Sequence, residues 1–472
     1  MRFFIWVLLM MILSSACKKT IIDGVSSANT STDNSDSAAN SWIYSTMKDY
    51  YLWSDSMPNI NTTNLNTKPT DYFYTILNNY GNTDRFSWID SSATNLTNQL
   101  NGLNTILGIK YNAFYADLSK NNVVFVIAYV LKGSAAEKAG LVRGDIIIKV
   151  DGQSITTSNY TNILQNQSLR IELGSLNNNI FTSTGTIIPI TKTVLQTNPI
   201  LKDTVIEWGG KRVGYLNYVQ FLTSYDDSLK SIFTRFKKYK TNGIDELVLD
   251  LRYNGGGYVT SSDLLTNLIV KDLNAKIGNS GIFMNQKIYN TSYTAVLKKE
   301  NQASNFITNF QFQAANLGNL NRVFILTSNN TASASELVIN NLKPFMNVVL
   351  IGEHTYGKNV GSFTITDSKK RWDFGLQPIT FKIANSLGES NYGTVNGFTP
   401  DYILLDNALP YKQLGDPGET YFNQALSLIS GVAYKSFGVD QIVKLKKAQV
   451  QKTAIGDNLN MDKKDMFIEQ KH

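Results

Sequence analysis

A multidomain α/β protein is predicted from the order of strand and helix patterns along this 472-residue chain. Apolar, β-branched segments alternate with amphipathic helical segments between residues 211 and 352, and turns of glycine or other small residues follow the strands. That alternation is typical of a layered α/β core. The chain is also long enough for two or three domains with hydrophobic cores of their own.

The α/β series begins after about residue 198 and defines a predicted core over residues 198–415. The apolar pattern predicts strands at Lys211–Phe221, Asp245–Leu251, Arg322–Ser328 and Asn347–Gly352, and helices at Asp226–Tyr239, Ser261–Val270 and Ser335–Leu342. Residues 274–320 are less regular, and we interpret them as a hairpin with a surface helix. A closing strand is predicted at Asn396–Leu404.

The N-terminus has the pattern of an export signal. Arg2 precedes an apolar run from Phe3 to Leu13, and small residues lead from there to Cys17, the single cysteine of the chain. The run is too short to span a membrane. Its Ser-Ala-Cys ending resembles a bacterial lipoprotein signal over residues 1–17, which implies a lipid anchor at Cys17 in the cell envelope, facing the periplasm or the outer surface. The alternative is an ordinary secretory signal that is cut nearby.

The segments that flank the core are simpler in pattern. Residues 18–40 are rich in polar and small residues and are predicted to form a flexible tether. Aromatic residues at largely helical spacing, such as Trp42, Tyr50 and Trp53, predict a small N-terminal helical domain over residues 41–98. Residues 416–472 are predicted to form a C-terminal helix and a mobile, lysine-rich tail.

Two scarcities argue against several kinds of site. A single cysteine excludes intrachain disulfides and a thiolate metal cluster. The only histidines are His354 and His472, so a multi-histidine zinc site is not expected, and a serine–histidine triad would have to use one of these two. The net charge of +7 is not concentrated on a basic helix or stripe with interleaved aromatic residues, so nucleic-acid binding is not expected either.

Residues 134–155 carry the string SAAEKAGLVRGDIIIKVDGQSI. The pattern predicts a short helix that ends at Gly140, a β-branched strand at Ile146–Val150, and a tight Asp-Gly turn after it. This string resembles the signature of a PDZ domain, which we place over residues 99–197.

The resemblance to PDZ domains implies a peptide site. In that family, backbone N–H groups of a loop hold the C-terminal carboxylate, and the peptide adds a strand to a sheet edge. The matching loop here is Leu107-Gly108-Ile109, and Gly108 allows a close backbone approach. The implied partners are polypeptides with free C-termini. A PDZ-like fold that serves only for packing is the alternative.

A serine-rich turn opens the helix that begins near residue 335. Ser333 and Glu336 have the spacing of a capping box, so Ser333 alone could be a simple N-cap. The same position, between a strand and a helix N-terminus, also places a hydroxyl beside N–H groups that favour a developing oxyanion. A serine nucleophile needs a base. Histidine is nearly absent, so the candidate is Lys358, in a Gly-Lys turn one helix and one strand later.

The Gly-Lys turn also matches part of a phosphate-binding loop. Residues Gly352 to Lys358 fit the first seven positions of that motif. The eighth position requires Ser or Thr for magnesium, and here it is Asn359. Nucleotide binding is therefore not expected.

The PDZ-like string, the LVLDLR-x-NGGG segment, the TASASE turn and the GE-x-T-x-GK turn together resemble the carboxyl-terminal processing (tail-specific) serine proteases. The resemblance covers residues 100 to 405. It implies a crotonase-like α/β spiral protease core, with a PDZ β-sandwich-like domain before it. It further implies an endopeptidase that cuts protein substrates near the C-terminus and needs no metal or organic cofactor.

The family's functional residues carry over by position. Ser333 matches the nucleophile and Lys358 the base, and the oxyanion donors are the N–H groups of Ala334 and of the glycine triplet, for which we take Gly256. The family often has a glutamine four residues after the lysine, where this chain has Ser362. Ser362 is included as a candidate for orienting Lys358. The alternative function is a tail-binding lipoprotein scaffold with a weak or inactive core.

Overall fold

The computed structural model describes residues 35–279, 281–302, 305–431, 454–458 and 466–469. The predicted signal over residues 1–17, Cys17 and most of the predicted tether lie outside this part of the chain. Within the described residues, no helix combines the length and apolar character that a membrane crossing requires.

The N-terminal segment is helical and packs against the α/β core. Its elements are α1 (Asp36–Tyr50), two single turns of 3-10 helix at Ser54–Ser56 and Ile60–Thr62, α2 (Pro69–Thr75), β1 (Trp88–Asp90) and α3 (Ala93–Leu100). The first helix starts at Asp36, inside the stretch predicted as a tether, because the Ser35 side chain caps it by accepting from the Ala38 N–H. Buried side chains of α1 and α2 share one cluster with Phe363 and Leu376, so this segment has no separate hydrophobic core.

The next segment is an antiparallel sheet. Its elements are β2 (Leu103–Ile106), β3 (Ile109–Tyr115), β4 (Val123–Val130), α4 (Ala135–Lys138), β5 (Ile146–Val150), β6 (Gln153–Ser154), β7 (Ser168–Asn177), β8 (Ile180–Thr191) and β9 (Thr193–Gln196). The sheet follows the order β3-β4-β5-β7-β8, and β2 pairs with β9 where the chain enters and leaves. Alternate strand residues such as Tyr111, Phe125 and Ile147 form its buried core.

The third and largest segment contains most of the helices. Its elements are β10 (Ile200–Trp208), β11 (Lys211–Tyr218), a 3-10 turn (Thr223–Tyr225), α5 (Asp226–Lys238), β12 (Glu246–Asp250), β13 (Gly257–Tyr258), α6 (Val259–Ile269), α7 (Leu273–Ile277), β14 (Asn285–Tyr289), α8 (Thr291–Lys299), β15 (Ile307–Thr308), β16 (Arg322–Thr327), α9 (Ala334–Leu342), β17 (Asn347–Gly352), β18 (Val360–Ser362), β19 (Ile365–Thr366), β20 (Gly375–Gln377), β21 (Ile379–Asn385), β22 (Tyr402–Ile403) and α10 (Thr420–Ser430).

A six-stranded sheet of order β10-β11-β12-β16-β17-β22 forms the centre of this segment. Only the β10–β11 pair is antiparallel, and the remaining neighbours are parallel. Helices α5, α6 and α9 bury their apolar sides against one face, and α10 covers the other. Because β12, β16 and β17 are parallel neighbours, the turns that follow them emerge at one edge of the sheet.

A second six-stranded sheet, of order β13-β24-β18-β21-β14-β15, lies beside that edge. Its strand β24 (Met466–Phe467) comes from the C-terminal tail, as does β23 (Ala454–Asp457), which pairs with β3 of the antiparallel sheet. These residues belong to the tail predicted to be mobile, and in the structure their main chain completes hydrogen-bond ladders at strand edges. The rest of the tail after residue 431 lies outside the described residues.

Candidate active site

The glycine turn after β12 is held by Asn254. The Asn254 side chain donates from Nδ2 to the Tyr218 carbonyl at 2.9 Å and accepts at Oδ1 from the Gly256 N–H at 2.9 Å. Its main-chain carbonyl accepts from the Ala332 N–H and from Ser335 Oγ, each at 3.0 Å. Asn254 is fully buried, so it connects the glycine turn rigidly to the serine turn.

A buried ion cluster fixes the start of the same turn. Arg252 pairs with Asp250, with Arg252 Nη2 2.9 Å from Asp250 Oδ2. Arg252 also donates to Glu419 of the loop before α10, at 2.6 Å. Arg143 of the PDZ-like string donates to the Tyr253 hydroxyl at 2.7 Å. The antiparallel domain is thereby connected to the residue just before the glycine turn.

Ser333 lies in a strained turn between β16 and α9. Its φ of 65° and ψ of −116° are a conformation that costs a non-glycine residue about 1–3 kcal/mol. Ser333 is fully buried, and its Oγ makes no hydrogen bond to any described residue. The Glu336 side chain accepts from the Ser333 N–H, as in a capping box. The hydroxyl is therefore not used as a helix cap.

Lys358 lies in the turn between β17 and β18 and is 1% exposed. Its Nζ lies 4.9 Å from the centre of the Phe86 ring, which the N-terminal segment provides. Gly357 precedes it at φ 85°, and a Cβ added there would lie 1.6 Å from the Thr394 carbonyl oxygen. The carbonyl of Gly357 accepts from Arg85 at 2.7 Å. The turn is thus fixed by sterics and by the N-terminal segment together.

Glu336 joins the serine turn to the lysine turn. Its Oε2 accepts from the N–H groups of Ser333 and Lys358, each at 2.8 Å. Its Oε1 accepts from the Gly357 N–H at 2.7 Å and from Thr355 Oγ1 at 2.5 Å. Burial raises the pKa of Glu336, and these four donors oppose the rise because they favour the ionised form. One buried carboxylate therefore holds both candidate catalytic residues by their main chains.

Ser362 is buried at the end of β18, four residues beyond Lys358. Its Oγ accepts from Gln377 Nε2 at 2.8 Å and donates to the Met466 carbonyl at 3.4 Å. Gln377 is itself buried on β20, and its Oε1 accepts from Thr364 at 2.7 Å. A glutamine is therefore present beside the Ser362 position, although it comes from a different strand.

The two predicted oxyanion donors differ in their surroundings. Ala334 is the first residue of α9, where an N–H has no partner within the helix. The Gly256 N–H, in contrast, already donates to Asn254. The N–H of the adjacent Gly255 has no acceptor among the described residues. The Ala334 N–H and the glycine triplet thus lie on either side of Asn254. Within the triplet, the Gly256 N–H is less available to an oxyanion than the Gly255 N–H, because it already donates to Asn254.

The predicted peptide loop and the glycine triplet border the same cavity. This cavity has a volume of about 450 Å³, and its lining includes Leu107–Ile109 as well as Gly255–Gly257. Gly108 has φ 90°, and a Cβ there would lie 2.1 Å from the Ser134 Cβ. The loop therefore requires glycine, and the cavity forms a path between the antiparallel domain and the core.

Sequence reasoning missed several residues of this region, namely Asn254, Glu336, Gln377 and Phe86. Glu336 was interpreted only as a capping residue, because its contacts to the lysine turn depend on a separate strand. Gln377 and Phe86 have no local motif that could have identified them. Among the described residues no cluster of His, Cys, Asp and Glu could hold a metal ion.

Comparisons with known proteins identify the domains of the chain. Residues 212–404 match the family model for peptidase family S41, residues 38–88 match the S41 N-terminal domain, and residues 126–173 match a PDZ domain. A solved structure from Bacteroides fragilis, described as an S41 protease, has a TM-score of 0.69 and 29% identity. That match covers 83% of this chain and 97% of the other.

Curated relatives give the same assignment at lower identity. A carboxyl-terminal-processing protease of Picosynechococcus sp. is 25% identical over 65% of this chain and 67% of its own length. The carboxy-terminal processing protease CtpA of Bacillus subtilis is 25% identical over 71% of this chain and 67% of its own length. The chain thus spans about two thirds of these relatives. It belongs to the S41 family of serine peptidases and combines the S41 N-terminal, PDZ and peptidase domains of the carboxyl-terminal-processing proteases.

Proposed function

We propose that this chain is an exported serine endopeptidase that cuts protein substrates near their C-termini, with Ser333 as nucleophile and Lys358 as base. The observation that carries the proposal is the Ser333 hydroxyl, which is buried in a strained turn and unbonded within the described part of the chain. Buried hydroxyls ordinarily make a hydrogen bond. A buried hydroxyl without a hydrogen bond suits a reacting group. The N–H groups of Ser333 and Lys358 also share one carboxylate oxygen of Glu336, which holds the two residues together.

In the proposed reaction, Ser333 Oγ attacks the scissile carbonyl carbon while the neutral amine of Lys358 takes the hydroxyl proton. The oxyanion of the tetrahedral intermediate accepts from the Ala334 N–H and from a glycine N–H, each contributing roughly 3 kcal/mol. We assign the glycine donor to Gly255 or, once Asn254 releases it, to Gly256. Lys358 then protonates the leaving amine, and water hydrolyses the acyl-enzyme with Lys358 again as base.

Substrate capture is assigned to the loop Leu107–Ile109. The cavity that borders both this loop and the glycine triplet supports that assignment, since a peptide held at the loop could extend along it. Peptides that add a strand to an open sheet edge gain affinity from main-chain hydrogen bonds and specificity from side-chain pockets.

Export and membrane attachment rest on the N-terminal sequence alone. We propose that Cys17 is lipidated and becomes the mature N-terminus at the cell envelope. Metabolic labelling with a fatty-acid analogue tests this, and a Cys17→Ala variant that still carries the label would contradict it.

Cleavage of an unfolded protein substrate tests the dyad. Ser333→Ala and Lys358→Ala should each lower kcat by about 10⁴-fold or more, because removing one member of a catalytic unit costs about as much activity as removing the whole unit. Ser231→Ala and Lys343→Ala, which remove exposed side chains, serve as controls and should leave kcat unchanged. The wild-type rate should also rise with pH through an apparent pKa below about 10.4, the ordinary value for lysine. A wild-type protein that binds tails without cutting any substrate would favour the scaffold alternative.

A further inference from the structure

The C-terminal tail lies on the edge of the antiparallel sheet that borders the peptide loop. Strand β23 pairs antiparallel with β3, with Asp457 opposite Asn112 and Ala454 opposite Phe114. Asn458 continues this ladder, since its N–H donates to the Tyr111 carbonyl at 3.3 Å, and its side-chain Nδ2 donates to the Ile109 carbonyl at 3.1 Å. Strand β3 begins directly after the Gly108 turn, so the tail occupies the edge to which a captured peptide would add its strand.

A second piece of the tail lies between the two catalytic turns. Strand β24 pairs in parallel with β13, which follows the glycine triplet, and with β18, which follows Lys358. The Ile468 N–H donates to the Ser362 carbonyl at 3.1 Å. Neighbouring strands lie about 4.8 Å apart, so β13 and β18 are separated by the width of one strand. Without the tail, this sheet would have a slot for a single extended peptide.

The tail also fills side-chain pockets on both sides of that slot. Phe467 is 3% exposed and packs against Trp88, Leu96 and Leu100, with its ring centre 4.2 Å from that of Tyr258. Met466 is fully buried on the opposite side, in a cluster formed by Val259, Tyr289, Leu297, Leu337, Phe381 and Ile383. Glu469, two residues further along, is exposed.

We infer that the C-terminal tail, through β23 and β24, is an intramolecular ligand that occupies the strand edges beside the substrate cavity and leaves when a protein substrate binds. The inference rests on the proposed proteolytic function of the slot. It also names the substrate class, which is an extended segment with two adjacent large apolar residues where Met466 and Phe467 lie. Each edge pairs with one strand at a time, so the tail and a substrate exclude one another. A tethered ligand acts at a high effective concentration, so the tail raises the substrate concentration that the enzyme needs.

The test uses the full chain and Phe467→Ala, with Glu469→Gln as the control in the same tail. Cleavage of an unfolded protein should show KM lowered about fivefold or more by Phe467→Ala, with kcat unchanged, because the substrate no longer competes with the tethered strand. The control should match wild type. A synthetic peptide of residues 452–472, added in trans, should inhibit Phe467→Ala competitively. Asn458→Ala, which changes only the outer edge, provides a second variant if Phe467→Ala does not fold.

A fluorescently labelled form of the same peptide, whose binding is followed by anisotropy, gives a measurement that needs no cleavage. The peptide should bind Phe467→Ala or Asn458→Ala more tightly than wild type, whose own tail fills the site. If no variant cuts any substrate but this difference holds, the proteolytic proposal fails and the tail assignment stands. If cleavage occurs but KM and peptide binding are equal in wild type and both variants, or if only kcat falls, the tail is a structural strand and the inference is overturned.

Discussion

Replacing Glu336 by glutamine changes one oxygen of a buried carboxylate into an NH2 group at constant size. In the wild type, one oxygen accepts from the N–H groups of Ser333 and Lys358 and the other from Gly357 and Thr355. The favoured orientation directs the NH2 group at Thr355, because a hydroxyl can also accept. The Gly357 N–H then loses its acceptor, and the two remaining N–H bonds lose their ionic partner.

The magnitude follows from these contacts. A buried N–H without an acceptor costs about 1–3 kcal/mol, and weakening two bonds from charged to neutral acceptors costs about 1 kcal/mol each. Removing the charge offsets part of this loss, since burial already raises the pKa of Glu336 and so disfavours its ionised form. We expect Glu336→Gln to lower the free energy of unfolding by about 2–4 kcal/mol.

The effect on catalysis should exceed what lost stability alone explains. The serine and lysine turns would share only a neutral acceptor, and the lysine turn would lose its bond from the Gly357 N–H. Displacements of about 1 Å in an active site lower rates by about 100-fold. The assay is kcat on an unfolded protein at a temperature where the variant is folded, together with urea unfolding followed by fluorescence. Glu300→Gln, the same change on the surface, is the control. If Glu336→Gln matches Glu300→Gln in both measurements, the carboxylate does not hold the two turns together.

Three further predictions concern stability. Gly357→Ala should lower the free energy of unfolding by at least about 3 kcal/mol more than Gly152→Ala does. Both glycines have positive φ, but only the Cβ added at Gly357 meets a carbonyl oxygen; equal melting temperatures would contradict this. Arg252→Met should cost about 3–5 kcal/mol in urea unfolding, because it leaves the carboxylate of Asp250 buried without a cation and that of Glu419 with only the more distant Arg143; a change below about 1 kcal/mol would contradict it. Burial raises the pKa of Asp263 from 3.8 to about 6, so its contribution to stability falls as pH rises from about 4 through 6. Between pH 4 and pH 7, the free energy of unfolding of Asp263→Asn should therefore rise relative to that of the wild type by up to about 3 kcal/mol. Parallel curves of unfolding free energy against pH would refute this.

Local patterns were sufficient for most of the core. The strand predicted at Asn347–Gly352 has the same bounds in the structure, and the helix predicted from Ser335 begins one residue earlier. The strand belongs to the central sheet and the helix packs on it, so the apolar periodicity of each indicates the side that it buries. The same holds for the turns, because their glycines are required by positive φ at Gly108 and Gly357.

Local patterns failed where pairing is distant in sequence. The second sheet joins strands from residues 257 to 467, and several of them have only two or three residues, too few to show a period. The polar composition of the tail predicted mobility, yet Met466 and Phe467 are buried by residues more than 80 positions earlier. The N-terminal segment similarly shares its core with β20, which no local pattern indicated.

The sequence by itself determined which turns are candidates for the chemistry, because residue type and spacing are local properties. Ser333 opens a helix, Lys358 follows a glycine that tolerates positive φ, and the glycine triplet follows a buried strand. Only the tertiary structure decided what holds these turns together and what lies between them. The carboxylate of Glu336, the glutamine beside Ser362 and the tail strand in the slot all depend on side chains and edges that meet after folding, and no spacing along the chain encodes such a meeting.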